Sequence, residues 1–219
     1  MPLHTTDALI LRTYKLGESD RIVVFLTRDR GKKRGVAKNA RQSRRRFGGA
    51  LEPLTYGRVG YVERERRELV RLDYVEQLRS PLSAVDGEAL GYVSYFAELI
   101  DEWAQEADPN ETLFRLGASM TEAIAEGVPI EPLARYFEFW LLRLQGVYEV
   151  DRRLSDEAQA FLTTARSSSP FALAHVAVSR AALRELEAAH RALIAMHLEK
   201  DLKSIRVLRE MRGGVHRDR

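Results

Sequence analysis

The pattern of apolar and polar positions changes character near Ser80-Pro81. Before that point, short apolar and β-branched runs alternate with turn residues: Ala8 to Leu16, Arg21 to Thr27, Gly35 to Ala40, Leu54 to Val62 and Leu69 to Gln77. They are punctuated by Gly17-Glu18-Ser19, Asp29-Arg30-Gly31, the stretch around Phe47-Gly48-Gly49 and the charged turn Glu63 to Glu68, and so predict five strands. Among compact all-β architectures, a five-stranded partly open barrel, the OB-fold, fits this count best; its exposed strand face and loops suit single-stranded nucleic acid.

After Pro81 the spacing becomes helical. Leu90, Val93, Ala97, Ile100 and Trp103 recur at three and four residues, as do Leu113, Leu116, Met120 and Ile124, then Leu133, Phe137, Trp140 and Leu144. A later stripe runs Leu183, Leu186, His190, Leu193, His197, and Ser167-Ser168-Ser169 reads as a loop. Asp108-Pro109-Asn110-Glu111 predicts a helix start capped by Asp108 with proline in the first position, and Ser169-Pro170 repeats the cap-proline pair. The expected fold class is therefore α+β, with a β domain over 1–80 and an all-helical domain over 81–219.

Composition narrows the chemistry. The chain has 219 residues, 45% of them hydrophobic, enough to fill a core. It has no cysteine, which removes disulfides, thiol catalysis and thiolate zinc sites and fits a reducing compartment. No apolar run reaches a membrane span and the start has no signal-peptide pattern, so a cytoplasmic protein without membrane contact is expected. The phosphate-loop, dinucleotide, nucleophile-elbow and zinc-hydrolase motifs are all missing, so the expectation is a non-enzyme without cofactor or metal. His190 and His197 share a helix face, but seven residues rise about 10.5 Å, too far for one metal, and they read as packing or surface histidines. Glu63 and Glu65 could share a strand face, yet Arg64, Arg66 and Arg67 interleave with them as in a charged hairpin tip.

The net charge of +3 conceals a dipole. Residues 1–80 carry +9, residues 81–196 carry −9 and residues 197–219 carry +3. Sharper still, Arg28, Arg30, Lys32, Lys33, Arg34, Lys38, Arg41, Arg44, Arg45 and Arg46 stand against the single acid Asp29. Such a run repels itself unless a polyanion neutralises it, so these cations are the candidate nucleic-acid site. Phe47 and Tyr56, with Tyr14 and Tyr61, are candidate platforms for unpaired bases. In the tail, 198–212, Leu202, Ile205, Leu208 and Met211 recur beside Lys200, Lys203 and Arg206, an apolar stripe with a basic flank suited to an acidic partner peptide.

Several runs resemble the N-terminal domain of the RecO family of bacterial recombination mediators. These are Ala8 to Thr13, Leu16-Gly17-Glu18-Ser19-Asp20, Leu26-Thr27 leading to Gly31, Arg34-Gly35-Val36-Ala37-Lys38-Asn39-Ala40-Arg41, and Arg46-Phe47-Gly48-Gly49-Ala50-Leu51-Glu52-Pro53. Leu198 to Ser204 is similar to that family's terminal Lys-Ser element. The resemblance implies an OB-fold followed by a helical domain. It implies binding of single- and double-stranded DNA and annealing of strands coated by single-strand-binding protein. It further implies action with RecR to load RecA, without enzymatic activity. Arg34, Lys38 and Arg41 fall in the motif-bearing strand and loop. Many relatives carry a four-cysteine zinc site where this chain has 147–178, so packing by Val147, Tyr148, Leu154, Phe161 and Phe171 is expected there instead. The tail's cations would then meet the acidic C-terminal tail of single-strand-binding protein. An RNA-binding OB factor and a metal-dependent nuclease are the rival readings; for the second, residues 28–46 supply only Asp29.

Overall fold

The computed structural model describes residues 2–63, 68–83, 87–149, 153–198 and 202–214. Five strands come first: β1 (Leu3–Leu16), β2 (Asp20–Thr27), β3 (Gly31–Ala37), β4 (Tyr56–Val62) and β5 (Val70–Arg79). They close into a barrel in the order β1-β2-β3-β5-β4, antiparallel except for the β3–β5 pair. This is the OB-fold expected from the strand count. Alternation fills the interior with Ala8, Ile10, Val23, Phe25, Ala37, Val59, Tyr61, Val70 and Leu72. The loop after β3 adds Phe47 and Ala50 to that core.

Two strands begin earlier than the apolar pattern suggests. β3 opens at Gly31 because Lys32, Lys33 and Arg34 pair with Leu26, Phe25 and Val24, a ladder that consecutive charges hide from a hydrophobicity reading. Gly31 makes the turn at φ +68°, and a Cβ there would lie 2.4 Å from the Asp108 backbone nitrogen. β1 starts at Leu3, paired with Val62, through a polar stretch that the same reading omits.

The helices are α1 (Gly87–Trp103), α2 (Glu111–Ala125), α3 (Ile130–Leu144), α4 (Asp156–Ser167), α5 (Arg180–Leu198) and α6 (Lys203–Gly214). None among the described residues is long and apolar enough to cross a membrane. α2 is capped by Asn110, whose Oδ1 accepts from Leu113 N at 3.0 Å; Asp108, expected as the cap, lies two residues before it. Ser169-Pro170 opens a 3-10 turn, Pro170–His175, rather than an α-helix. α4 has a helical stripe too short to register alone; Ser155 caps it by accepting from Ala158 N at 3.4 Å.

Contacts divide the chain into two units, residues 1–83 with 93–122 and residues 84–92 with 123–219. In the first unit the outer face of the barrel meets the helices. Leu9 and Leu26 pair across β1 and β2, both fully buried, and a Cβ on Gly117 of α2 would lie 2.6 Å from Leu9 Cδ1. Thr121 Oγ1 donates to the Leu54 carbonyl at 2.9 Å. In the second unit α3 packs on α4 and α5. Within the segment where relatives carry zinc, Leu154 and Phe161 are buried and Tyr148 stands edge-on to Phe139, but Phe171 is 39% exposed and does not serve as core. Leu208 of α6 packs against Gly91, so part of the tail's apolar stripe is spent within its own unit.

Candidate nucleic-acid interface

The ten cations expected to bind nucleic acid fall into two groups. Arg28 pairs with Glu111 at 3.0 Å, Lys32 with Asp101 at 3.1 Å, Lys33 with Glu63 at 2.8 Å and Arg30 with Asp29 at 3.7 Å. The first two partners come from α1 and α2, and Lys32 also donates to the Asp101 carbonyl. Arg12, on β1, joins the same acids, 2.7 Å from Asp101 and 2.9 Å from Glu102. Glu111 raises the Arg28 pKa chiefly through their hydrogen bond, and the Lys33 ammonium draws the Glu63 pKa down. Arg46 is braced as well: it donates to Ser43 Oγ and the Lys38 carbonyl and its guanidinium sits 5.0 Å from the Phe47 ring centroid.

Arg34, Lys38, Arg41, Arg44 and Arg45 are exposed and have no carboxylate partner among the described residues. The fold presents them together. Arg34 points outward from β3, and the loop leaves the strand at Lys38. Asn39, at φ +53°, turns the chain, with its N–H donating to Asp20 Oδ1 at 2.8 Å. Its carbonyl accepts from Gln42 and Ser43, winding 39–47 into a helical coil that projects Arg44 and Arg45. Phe47 at the end of the coil plugs the barrel, and Val75 N donates to the Arg46 carbonyl. The loop is thus a fixed basic ridge rather than a loose one.

Of the proposed stacking platforms, Phe47 is corrected: at 1% exposure it is a core residue and offers no face to a base. Tyr61 is wholly buried, and burial pushes its phenol up to about 12. Tyr56 is half-buried on β4, donating to Asp7 Oδ2 at 3.2 Å and edge-on to Phe114 of α2, so it belongs to the helix-covered side. Tyr14 is different. It is 46% exposed and pairs with Ile22, which pairs with Val36, which neighbours Arg71. Alternation from the core residues Val23, Ala37 and Leu72 puts this row on the outer surface. One aromatic and two β-branched side chains therefore lie across β1, β2 and β3, with Arg34 two residues along the same face. The row spans about 10 Å, two interstrand steps of roughly 4.8 Å. Ile22 and Val36 escape a sequence reading because nothing local distinguishes an outward β-branched residue from an inward one.

The second unit holds its own basic site. A cavity of about 350 Å³ between α5 and α6 is lined by Ile194, Leu202 and Ile205 with Arg191, Lys203, Arg206 and Arg209 at its edge. Lys203 and Arg206 are thus where the tail pattern placed them, while Lys200 lies outside the described residues, as does Glu65. Arg191 joins from α5, a contribution no periodicity in the tail could reveal. His190 is buried and His197 exposed, and among the described residues no cluster of three or more His, Asp or Glu side chains could hold a metal ion.

Comparison with known proteins agrees with this arrangement. Residues 1–81 match the family described as recombination protein O N terminal, and residues 84–151 the one described as recombination protein O C terminal. The DNA repair protein RecO of Koribacter versatilis is 46% identical over 145 residues, covering 66% of this chain and 59% of its own. Those of Anaeromyxobacter sp. strain K and Geobacter metallireducens are 40% and 38% identical over 142 and 141 residues, covering 64% of this chain and 55% and 57% of their own. The chain thus spans little more than half the length of these relatives. Both matched segments, the barrel order and the basic ridge agree that the chain belongs to the RecO family.

Proposed function

We propose that this chain is a non-catalytic DNA-binding mediator of recombination in DNA repair. It binds single- and double-stranded DNA, anneals complementary strands coated by single-strand-binding protein, and helps RecR load RecA. One observation carries the reading: five unneutralised cations on a strand and its loop beside an outward-facing Tyr14–Ile22–Val36 row on an OB barrel, with Tyr14 exposed and Ile22 and Val36 half-buried. The cations neutralise phosphates and the tyrosine stacks on an unpaired base, a combination that grips the backbone with little regard to sequence. A duplex offers its phosphates to the same ridge without stacking, so double strands bind more weakly at equal salt.

The groove between α5 and α6 suits the acidic, apolar-ended tail of single-strand-binding protein. Its Ile194, Leu202 and Ile205 floor receives the apolar end and Lys203, Arg206 and Arg209 face the acids. The test incubates labelled complementary strands with the protein and Mg²⁺, with and without single-strand-binding protein. Intact, annealed strands in both arms are expected. Shortened strands would replace the reading with a nuclease, and a preference for RNA over DNA of equal length with an RNA-binding factor.

A further inference from the structure

Beyond the core residue Val23, β1 and β2 continue as a hairpin to the turn at Gly17, and the two faces of that hairpin differ. Tyr14 and Ile22 pair on one face; the next pair, Lys15 opposite Arg21, falls on the other by strand alternation. Like charges directly opposite one another repel, and an acid beside them would relieve the repulsion. None does so here. Neither Lys15 nor Arg21 pairs with a carboxylate among the described residues. Asp20 lies opposite Leu16 on the Tyr14 face and accepts from Asn39 N at 2.8 Å. Glu18 sits in the turn, where its backbone carbonyl accepts from Arg41. On its other side Arg21 pairs with Ala37 of β3, which brings no charge. Arg21 is half-buried and its Nη1 is enclosed, so water screens its charge poorly and the field extends to Lys15. Lys15 is exposed, and its ammonium is the group that an incoming anion touches.

We propose that Lys15, with Arg21 behind it, holds one backbone phosphate of single-stranded DNA and that a duplex does not make this contact. The proposal rests on the DNA-binding reading above and extends it to two cations outside the basic run of 28–46. Continuity with the Tyr14–Ile22–Val36 row makes a nucleic-acid strand the occupant: a base stacked on Tyr14 carries its neighbouring phosphate to within one residue of Lys15. To reach it the strand must pass from one face of the hairpin to the other. The edge of β1 leaves that path open, because β4 pairs with β1 only as far as Leu9 and no strand flanks Arg12 to Leu16 on that side among the described residues. A single strand turns such a corner by rotating backbone torsions. A duplex, stiff over about 50 nm, cannot fold around a two-stranded hairpin.

The test measures fluorescence anisotropy of a labelled oligothymidine and of a blunt duplex across a salt series, with the full chain. Lys15→Gln combined with Arg21→Gln should lower the single-strand log–log slope by about 0.7, the value of one phosphate, and leave the duplex slope unchanged. Lys15→Gln alone, at an exposed position, should show most of that loss and serves even if the double variant fails to fold. Lys15→Arg, which keeps the charge, should retain the slope of the unaltered chain. The combined Arg34→Ala, Arg44→Ala and Arg45→Ala variant, run alongside, should lower both slopes. An unchanged single-strand slope in folded Lys15→Gln, or a comparable fall with the duplex, would overturn the inference while a lowered slope in the ridge variant kept the DNA-binding reading. Unchanged slopes in every variant would overturn both.

Discussion

Cutting the chain after Ser80, where the β domain ends in sequence, should prevent the barrel from folding, whereas a fragment running through Glu122 should fold. The reason is the outer face of β1 and β2. Leu9 and Leu26 are both fully buried there, and Leu9 lies in the groove that Gly117 leaves in α2, close to Ile100 of α1. Removing the helices exposes both leucines, at about 1.5–3 kcal/mol each, or about 3–6 kcal/mol for the pair. The hydrogen bond from Thr121 to Leu54 and the ion pairs of Arg12 and Lys32 with Asp101 are lost in addition. A small domain commands only about 5–15 kcal/mol in total, and the low end applies at this size. Urea unfolding followed by circular dichroism, with size-exclusion chromatography, decides the matter. The longer fragment should show one cooperative transition and the shorter one none. Cooperative unfolding of the 1–80 fragment within about 1 kcal/mol of the longer one would refute the reasoning.

Tyr14 and Phe47 should separate stacking from packing. Tyr14→Ala should leave stability nearly unchanged and weaken single-strand binding by about 1–3 kcal/mol, while Phe47→Ala should cost about 3–5 kcal/mol of stability, both read by fluorescence anisotropy and thermal unfolding. Glu111→Gln frees Arg28 for a phosphate, so the salt dependence of single-strand binding should steepen by about 0.7 in log–log slope. The Glu63 pKa is lowered in the fold by Lys33, so this pair contributes stability above the unfolded carboxylate pKa of about 4.3 and loses it as pH falls through the lower folded value. Lys33→Met should flatten that acid limb of the pH–stability curve, measured by urea titration at successive pH values.

Strand number, barrel type and the paths of the main helices were legible because apolar spacing carries them directly. The basic run was equally visible, but its division was not. Arg28 and Lys32 look identical to Arg44 and Arg45 in sequence, and only the arrival of Asp101 and Glu111 from helices some 70 to 80 residues later neutralises them. Phe47 misled for a related reason: a phenylalanine between arginine and two glycines reads as an exposed loop residue, yet it closes the barrel core. The capping residue of α2 was two positions away, since Asp108 and Asn110 both suit the role and only the observed bond from Leu113 N to Asn110 Oδ1 decides between them. Arg191 could not be assigned to the tail groove from sequence, because its place there depends on how α5 and α6 pack.

The central claim is that the free cations of β3 and its loop hold the DNA backbone, and the salt dependence of single-strand binding tests it most directly. If Arg34, Lys38, Arg41, Arg44 and Arg45 each contact one phosphate, log K against log salt should fall with a slope of about −3.5, at roughly −0.7 per contact. Changing Arg34, Arg44 and Arg45 together to Ala should reduce it to about −1.4 in a protein whose unfolding is unaltered, because these side chains are exposed and support nothing. An unchanged slope in that folded triple variant would place the DNA elsewhere and contradict the account.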